Sequence, residues 1–295
     1  MRRLTAITAA LLAVAAAGCG PTGSGSLGAG PTGEPPSPAV SAQTSPSPSA
    51  QPSSTPDGTS STTVTIQTWF ARSNRVVPTQ RIRPATQATS RLALTELLAG
   101  PTSVEAGLGM SNAIPAETTF DVRGIADGVA IVSFSSGFFA GGKDIARLRR
   151  AQVVFTLTQF PSVRQVGFLM GGNPTGEPFG RADFADLLPQ IVVMSPVIGQ
   201  RVSSPITISG TADVREATVS VRLLDASGME IATKFATATC GNGCRGDYSL
   251  QLPYSVPKKQ PCTDQQGRLQ VFQVSGEDGS RISIVEIPLT LVVCG

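Results

Sequence analysis

The sequence predicts a multidomain protein: an α+β domain followed by an all-β sandwich, both carried behind a disordered linker. Three observations predict it. Between Gly20 and Ser61 the chain is Pro, Ser, Thr and Gly, with only Glu34 and Asp57 charged and almost nothing large and apolar. From Val64 to Leu188, runs of alternating apolar and polar residues are interrupted twice by apolar residues at helical spacing. Beyond Ile191, seven extended runs follow one another with Gly, Pro, Asp and Ser between them. The boundaries this sets are 1–18, 19–62, 63–188 and 189–295.

The first segment has the layout of a signal peptide. Arg2 and Arg3 precede an uncharged run from Leu4 to Ala17, and the small residues Ala16, Ala17 and Gly18 lead directly to Cys19. The run is shorter than the roughly 20 residues a bilayer core requires, so it is not expected to remain as a transmembrane helix. Ala16-Ala17-Gly18-Cys19 resembles the bacterial lipobox, with Ala16 where that family usually carries Leu. The resemblance implies cleavage before Cys19 and acylation of its sulfur, palmitate being a typical chain, which places the protein on the extracytoplasmic face of the cell membrane. A nucleophilic role for Cys19 would need a neighbouring base and a structured surround, and the segment that follows offers neither. Residues 19–62 cannot bury enough surface to offset the entropy of ordering. About forty residues of such coil give a tether with a reach of several nanometres.

Composition narrows the chemistry. Across 295 residues there is no histidine, which excludes imidazole triads, His-ligated zinc and His proton relays. The formal charge is +3, and removing Arg2 and Arg3 leaves about +1, so nothing points to nucleic acid. Ser255-Val256-Pro257-Lys258 spells S-x-x-K, but in a proline-flanked stretch and without the companion motifs. Gly137 to Lys143 spells G-x-x-x-x-G-K, yet Asp144 stands where a phosphate loop needs Ser or Thr, so a loop leading into a helix is the reading. No cofactor or metal is expected. Cys240, Cys244, Cys262 and Cys294 are an even set behind an export signal, which favours disulfides. Three pairings are open. "CGNGC" suits a short bridge from Cys240 to Cys244, leaving Cys262 and Cys294 for a longer one, worth about 3 to 4 kcal/mol by loop entropy.

In the first domain, "TVTIQTWFA" and "RVVPTQRIR" read as a hairpin with a polar turn at Ser73-Asn74. Leu94, Leu97 and Leu98 then fall at helical spacing, with Gly100-Pro101 as the stop. A loop follows, then "TTFDVRGI" and "GVAIVSFS" joined by Ala126-Asp127-Gly128. A second helix from about Lys143 to Gln159 and the strand "VRQVGFLM" complete an arrangement with helices on one face of a small sheet. The early half of that helix carries one apolar stripe, but "VVFTL" is apolar almost all round. Either the loop after the first helix buries it, or it exposes a docking flank at Val154 and Leu157. Arg147, Arg149 and Arg150 make either a docking patch or a solvated face; Arg147 and Arg150 join Val154 and Leu157 as candidate interaction residues.

In the second domain Val219, Val221 and Leu223 should face inward and Thr218, Ser220 and Arg222 outward. "LQVFQVSG" has competing alternations that a bulge, or burial on both faces, would reconcile. Asp225 to Gly228 reads as a hairpin turn, and Pro288 as an edge or a bend.

"LTELLAGP", "MSNAIPAETTFDVRGIADGVAIVSFSSGF", "ARLRRAQVVFTLTQFPSVRQVGFLMGG" and "GRADF" together resemble the GerMN domain of sporulation and spore-germination proteins and actinobacterial lipoproteins. That resemblance implies a ring-building-motif-like α+β fold and assembly in envelope complexes, and it brings no catalytic residues. "SPVIGQRVSSPITISGTADVREATVSVRLLDASG", "YSLQLPYSVP" and "GEDGSRISIVEIPLTL" resemble the immunoglobulin-like domain of bacterial spore germination. The cysteines of "CGNGC" and "KKQPCTDQQG" depart from that pattern. The function expected is a non-enzymatic, membrane-anchored module of the envelope that binds protein partners, with a homo-oligomer also allowed. The alternatives are a glycan- or peptide-binding lipoprotein, for which Trp69 with Phe70 or Tyr248 with Tyr254 would supply the aromatic surface, and a cell-wall enzyme with a converging acid/base pair.

Overall fold

Ser73 and Asn74 both take positive φ, 46° and 59°, the backbone a two-residue I′ turn requires. They join β1 (Thr63–Arg72) to β2 (Arg75–Pro84) in an unbroken antiparallel register. The computed structural model in which this is seen describes residues 62–256 and 263–293. Helix α1 (Thr89–Ala99) buries Leu94 and Leu97 and stops at Gly100, φ 84°. A short helix, α2 (Ser103–Gly107), occupies part of what the sequence reads as loop. Its signal is Thr102-Ser103-Val104-Glu105, a capping box in which the Thr102 hydroxyl accepts from Glu105 N–H and the Glu105 carboxylate accepts from Thr102 N–H. Strands β3 (Phe120–Ala126) and β4 (Val129–Phe134) meet at a second positive-φ turn, Asp127-Gly128. Helix α3 (Lys143–Leu157) crosses over to β5 (Gln165–Met170), which pairs parallel to β4 and ends beside the two-residue β6 (Asn173–Pro174).

These strands make two sheets, the β1-β2 hairpin and the four-stranded β3-β4-β5-β6, where the sequence suggested one sheet with helices on a single face. Helix α3 packs against the hairpin as well as beside β5 and α1. The reason lies in three polar residues one turn apart. Gln159 both donates to and accepts from the backbone of Gln67, Thr156 accepts from Trp69 N–H, and Gln152 donates to Trp69 C=O. Ala71 finishes the row by exchanging backbone bonds with Ser111. Helix side chains thus satisfy the outer edge of β1 as a third strand would, which is why Gln152 and Thr156 are fully buried. Val154 and Leu157 are likewise 0% exposed. The "VVFTL" segment is therefore covered by the hairpin, with help from the loop at Ala113, whose N–H donates to Gln152, so of the two alternatives burial holds, chiefly under the hairpin, and the exposed docking flank does not.

All seven extended runs of the second part are strands: β7 (Ile191–Ser195), β9 (Ile206–Ala212), β10 (Thr218–Leu224), β11 (Glu230–Thr237), β12 (Gly246–Leu252), β13 (Gln265–Val274) and β14 (Arg281–Leu291). A two-residue strand, β8 (Arg201–Val202), adds a parallel pairing to β14. They form two sheets, β11-β10-β13-β14-β8 and β12-β9-β7. Val219, Val221 and Leu223 are inward and fully buried. In β13 both proposed reconciliations hold, for the pairing with β14 shifts between Val271 and Gln273 and residues 269–273 are buried.

Strand β7 belongs to both cores. Ile191 and Val193 pack in the sandwich with Val219, Leu269 and Leu289, whereas Val192 packs in the first core with Trp69, Phe155 and Phe168. Alternation sends successive side chains to opposite faces, so the uninterrupted run "IVVM" is a wall shared by two domains. Gly210 of β9 makes this possible. A Cβ there would stand 1.9 Å from the Val192 carbonyl oxygen, and the same carbonyl accepts from the Tyr248 hydroxyl at 3.2 Å.

Candidate functional site

The segment entering β7 is pinned from both sides. From the first domain, Arg75 donates to the carbonyls of Asp186 and Leu188, and Arg147 makes a two-pronged pair with the Asp186 carboxylate while donating to Asp183 C=O. From the second, Arg245 donates to Pro189 C=O at 2.6 Å, and the Gln190 side chain accepts from Gln273 and Ser283. Gln80 of β2 donates to Met194 C=O. Arg245 follows immediately on Cys244, which is disulfide-bonded to Cys240, so the cross-linked turn presents the guanidinium to the segment entering β7. Burial lowers the affinity of Arg245 for its proton, an effect that Asp213 partly offsets.

Where β2, β7 and the free edge of β14 converge, a cleft of about 280 Å³ opens. Val77 and Pro78 form one wall, Ile284 and Ile287 the other, with Val192 and Ile198 among the apolar groups beneath. Three charged residues reach it: Arg72, Arg75 and Glu286. Arg75 is committed to the carbonyls of Asp186 and Leu188. Glu286 accepts from Gln270 at 2.6 Å and lies 3.6 Å from Arg268. The Arg72 side chain has no hydrogen-bond or ion-pair partner among the described residues. Acid–base catalysis requires a donor and an acceptor converging on one point, whereas the one carboxylate here is turned toward its own sheet. The arrangement is an apolar floor with a cationic rim, suited to recognition. Its volume falls just below the range of small-molecule pockets, roughly 300 to 1,000 Å³.

The residues singled out from the sequence fare differently. Cys19, Cys262 and Cys294 lie outside the described residues, and with them the lipid attachment and the longer disulfide. Val154 and Leu157 are core residues, so they are withdrawn as interaction residues. Arg147 holds Asp183 and Asp186, with its guanidinium also 5.5 Å from the Phe184 ring centroid and its proton held more tightly through the bond to Asp186 despite some desolvation. Arg150 lies over Phe179 at 5.7 Å. Trp69, Phe70 and Tyr248 are buried, and Tyr254 donates to the carbonyls of Val202 and Val292, so neither aromatic pair offers a ligand platform. Sequence reasoning missed the strongest electrostatic feature of the first domain. Arg81 pairs bidentately with Glu105, to which Thr79 also donates. Burial raises the Glu105 pKa, but the bonds from Arg81, Thr79 and Thr102 outweigh it and bring the value to about 2. This carboxylate is a structural anchor.

Residues 49–176 match the family model described as sporulation and spore germination, and residues 190–280 match the immunoglobulin-like domain of bacterial spore germination. The chain joins a GerMN domain to a spore-germination immunoglobulin-like domain. Spore germination protein GerM of Bacillus subtilis (strain 168) is 32% identical over 130 residues, covering 43% of this chain and 36% of that protein. The chain thus matches about a third of the length of this curated relative. Among solved structures, the first GerMN domain of B. subtilis GerM is 30% identical, covering 41% of this chain and 99% of that one with a TM-score of 0.35. The tandem GerMN domains of the same protein are 19% identical, covering 65% and 62%, also with a TM-score of 0.35. The cleft lies where the GerMN domain meets the immunoglobulin-like domain, on residues from both.

Proposed function

We propose that this protein is a non-enzymatic extracytoplasmic lipoprotein, held to the cell membrane by acyl chains on Cys19, that acts as a protein-interaction and assembly module of the cell envelope. The observation that carries this reading is the sharing of β7 by two cores. An adaptor that holds one partner relative to another needs two recognition domains in fixed register, and a strand with one face in each core supplies that. Hinge motion at the junction is opposed by Gln80 of β2, which donates to Met194 C=O of β7, and by Val192, which swinging the domains apart would pull out of the first core. GerM carries GerMN domains in tandem; this chain sets an immunoglobulin-like domain in the second position. The Pro/Ser/Thr/Gly composition of residues 20–61 suits a body that must reach partners away from the bilayer.

The test is chemical cross-linking of the full-length protein in intact membranes, followed by mass spectrometry. Discrete protein neighbours, cross-linked through residues of the folded part and lost when Cys19→Ser releases the protein from the membrane, are the expected outcome. Neighbours confined to lipid or glycan, with no protein in fixed contact, would refute the reading.

A further inference from the structure

Resting on that reading, we infer that the cleft binds one kind of partner: an extended polypeptide segment, bearing an acidic side chain among apolar ones, that pairs with the free edge of β14. The backbone carries the argument. Pro288 C=O accepts from Gly199 N–H, and Thr290 N–H donates to Gln200 C=O, so even-numbered residues of β14 turn their backbone groups away from β13. The register with β13 is continuous from Leu291 to Val285, so Glu286 is turned outward too. A proline at 288 fits this phase, since the missing donor falls on the side away from the ladder. Strand β8 covers that side only at Thr290 and Leu291, and the backbone groups of Glu286 have no backbone partner across the edge among the described residues. Glu286 is among the residues that line the cleft.

The outer edge of β1 is closed by the side chains of Gln152, Thr156 and Gln159, whereas no side chain of the described residues closes the edge of β14 at Glu286 in this way. An open edge beside an apolar floor is the geometry by which a strand is added, main-chain bonds giving affinity and pockets for alternate side chains giving specificity. The cleft is small enough to seat one or two side chains of such a strand and too small for a folded surface. Charge completes the assignment: Arg72 stands unpaired at the rim and Arg75 has only carbonyl partners, while the Glu286 carboxylate is occupied by Gln270 and Arg268. The complementary group is a carboxylate.

The experiment is selection from a random octapeptide library displayed on phage against the full-length protein, followed by titration of the enriched peptides. Expected are peptides that alternate apolar residues and contain Asp or Glu, lack proline at the pairing positions, and slow amide exchange at Glu286. Glu286→Pro, which removes the outward donor without breaking a bond to β13, should weaken them about fivefold to tenfold, and Arg72→Glu by about tenfold, both with an unchanged melting temperature. Enrichment of peptides that bind both variants as well as the wild type would overturn the proposal, as would no enrichment at all. Dimerisation of the full-length protein that Glu286→Pro abolishes would give the edge to a second copy and overturn it as well. If protein neighbours are still captured in membranes through other surfaces, the assembly reading survives the loss of this one.

Discussion

Glu105→Gln removes the charge from the most deeply placed ion pair of the GerMN domain. Both partners are nearly inaccessible, with side-chain exposures of 9% for Arg81 and 4% for Glu105. The substitution leaves the Arg81 guanidinium buried without a countercharge, and breaking a buried pair in this way costs about 3 to 5 kcal/mol. A second route reaches the same size. Folding takes the Glu105 pKa from 4.5 to about 2, and at 1.36 kcal/mol per unit that is about 3 kcal/mol. Because the folded value is the lower one, this stability is fully present above pH 4.5 and is lost as the pH falls toward 2. Trp69, the single tryptophan, is buried in the same core, so its fluorescence during urea unfolding reports this domain. The wild type should exceed Glu105→Gln by about 3 kcal/mol at pH 7, and the gap should close between pH 4.5 and 2. A gap under about 1 kcal/mol at pH 7, or one that stays constant down to pH 2, would refute the reasoning.

Gly210→Ala places a Cβ against the Val192 carbonyl; it should cost at least about 2 kcal/mol, seen as a lower melting temperature together with faster amide exchange in β7. Val154→Asp puts a charge into a fully buried position and should prevent the GerMN domain from folding; native Trp69 emission in the purified variant would contradict this. Arg245→Ala frees the carbonyl of Pro189, and amide exchange at Gln190 to Val193 should rise while that of Val221 and Leu269 in the sandwich core stays unchanged.

What could be read from the sequence and what could not divide along the range of the interactions. Hairpin turns are local, and Ser73-Asn74 and Asp127-Gly128 were legible because left-handed backbone at paired positions leaves a compositional mark. The seven strands of the sandwich were legible because alternation is a property of the strand itself. The position of α3 was not, since its apolar residues say that it is covered but not by what. The informative residues were the polar ones, Gln152, Thr156 and Gln159, whose partners lie more than eighty residues away in β1. Arg81 and Glu105 illustrate the same limit. The capping box around Glu105 is written in the sequence, but the arginine that neutralises it comes from β2. The cleft has no sequence signature at all, for it arises where an edge of one domain meets a hairpin of the other. The run "IVVM" was the nearest hint, as a strand apolar on both faces must have a neighbour on each.

Whether the junction of the two domains meets another protein in the cell decides if the β14 edge is the surface through which this module assembles. A photo-cross-linking amino acid at Ile284, on the cleft wall, compared with one at Ile82, exposed on β2 and not among the residues lining the cleft, measures this directly in living cells. The account predicts a discrete cross-linked protein from position 284, mapped by mass spectrometry to an extended acidic segment and weakened by Arg72→Glu. Equal and diffuse labelling from both positions would contradict it.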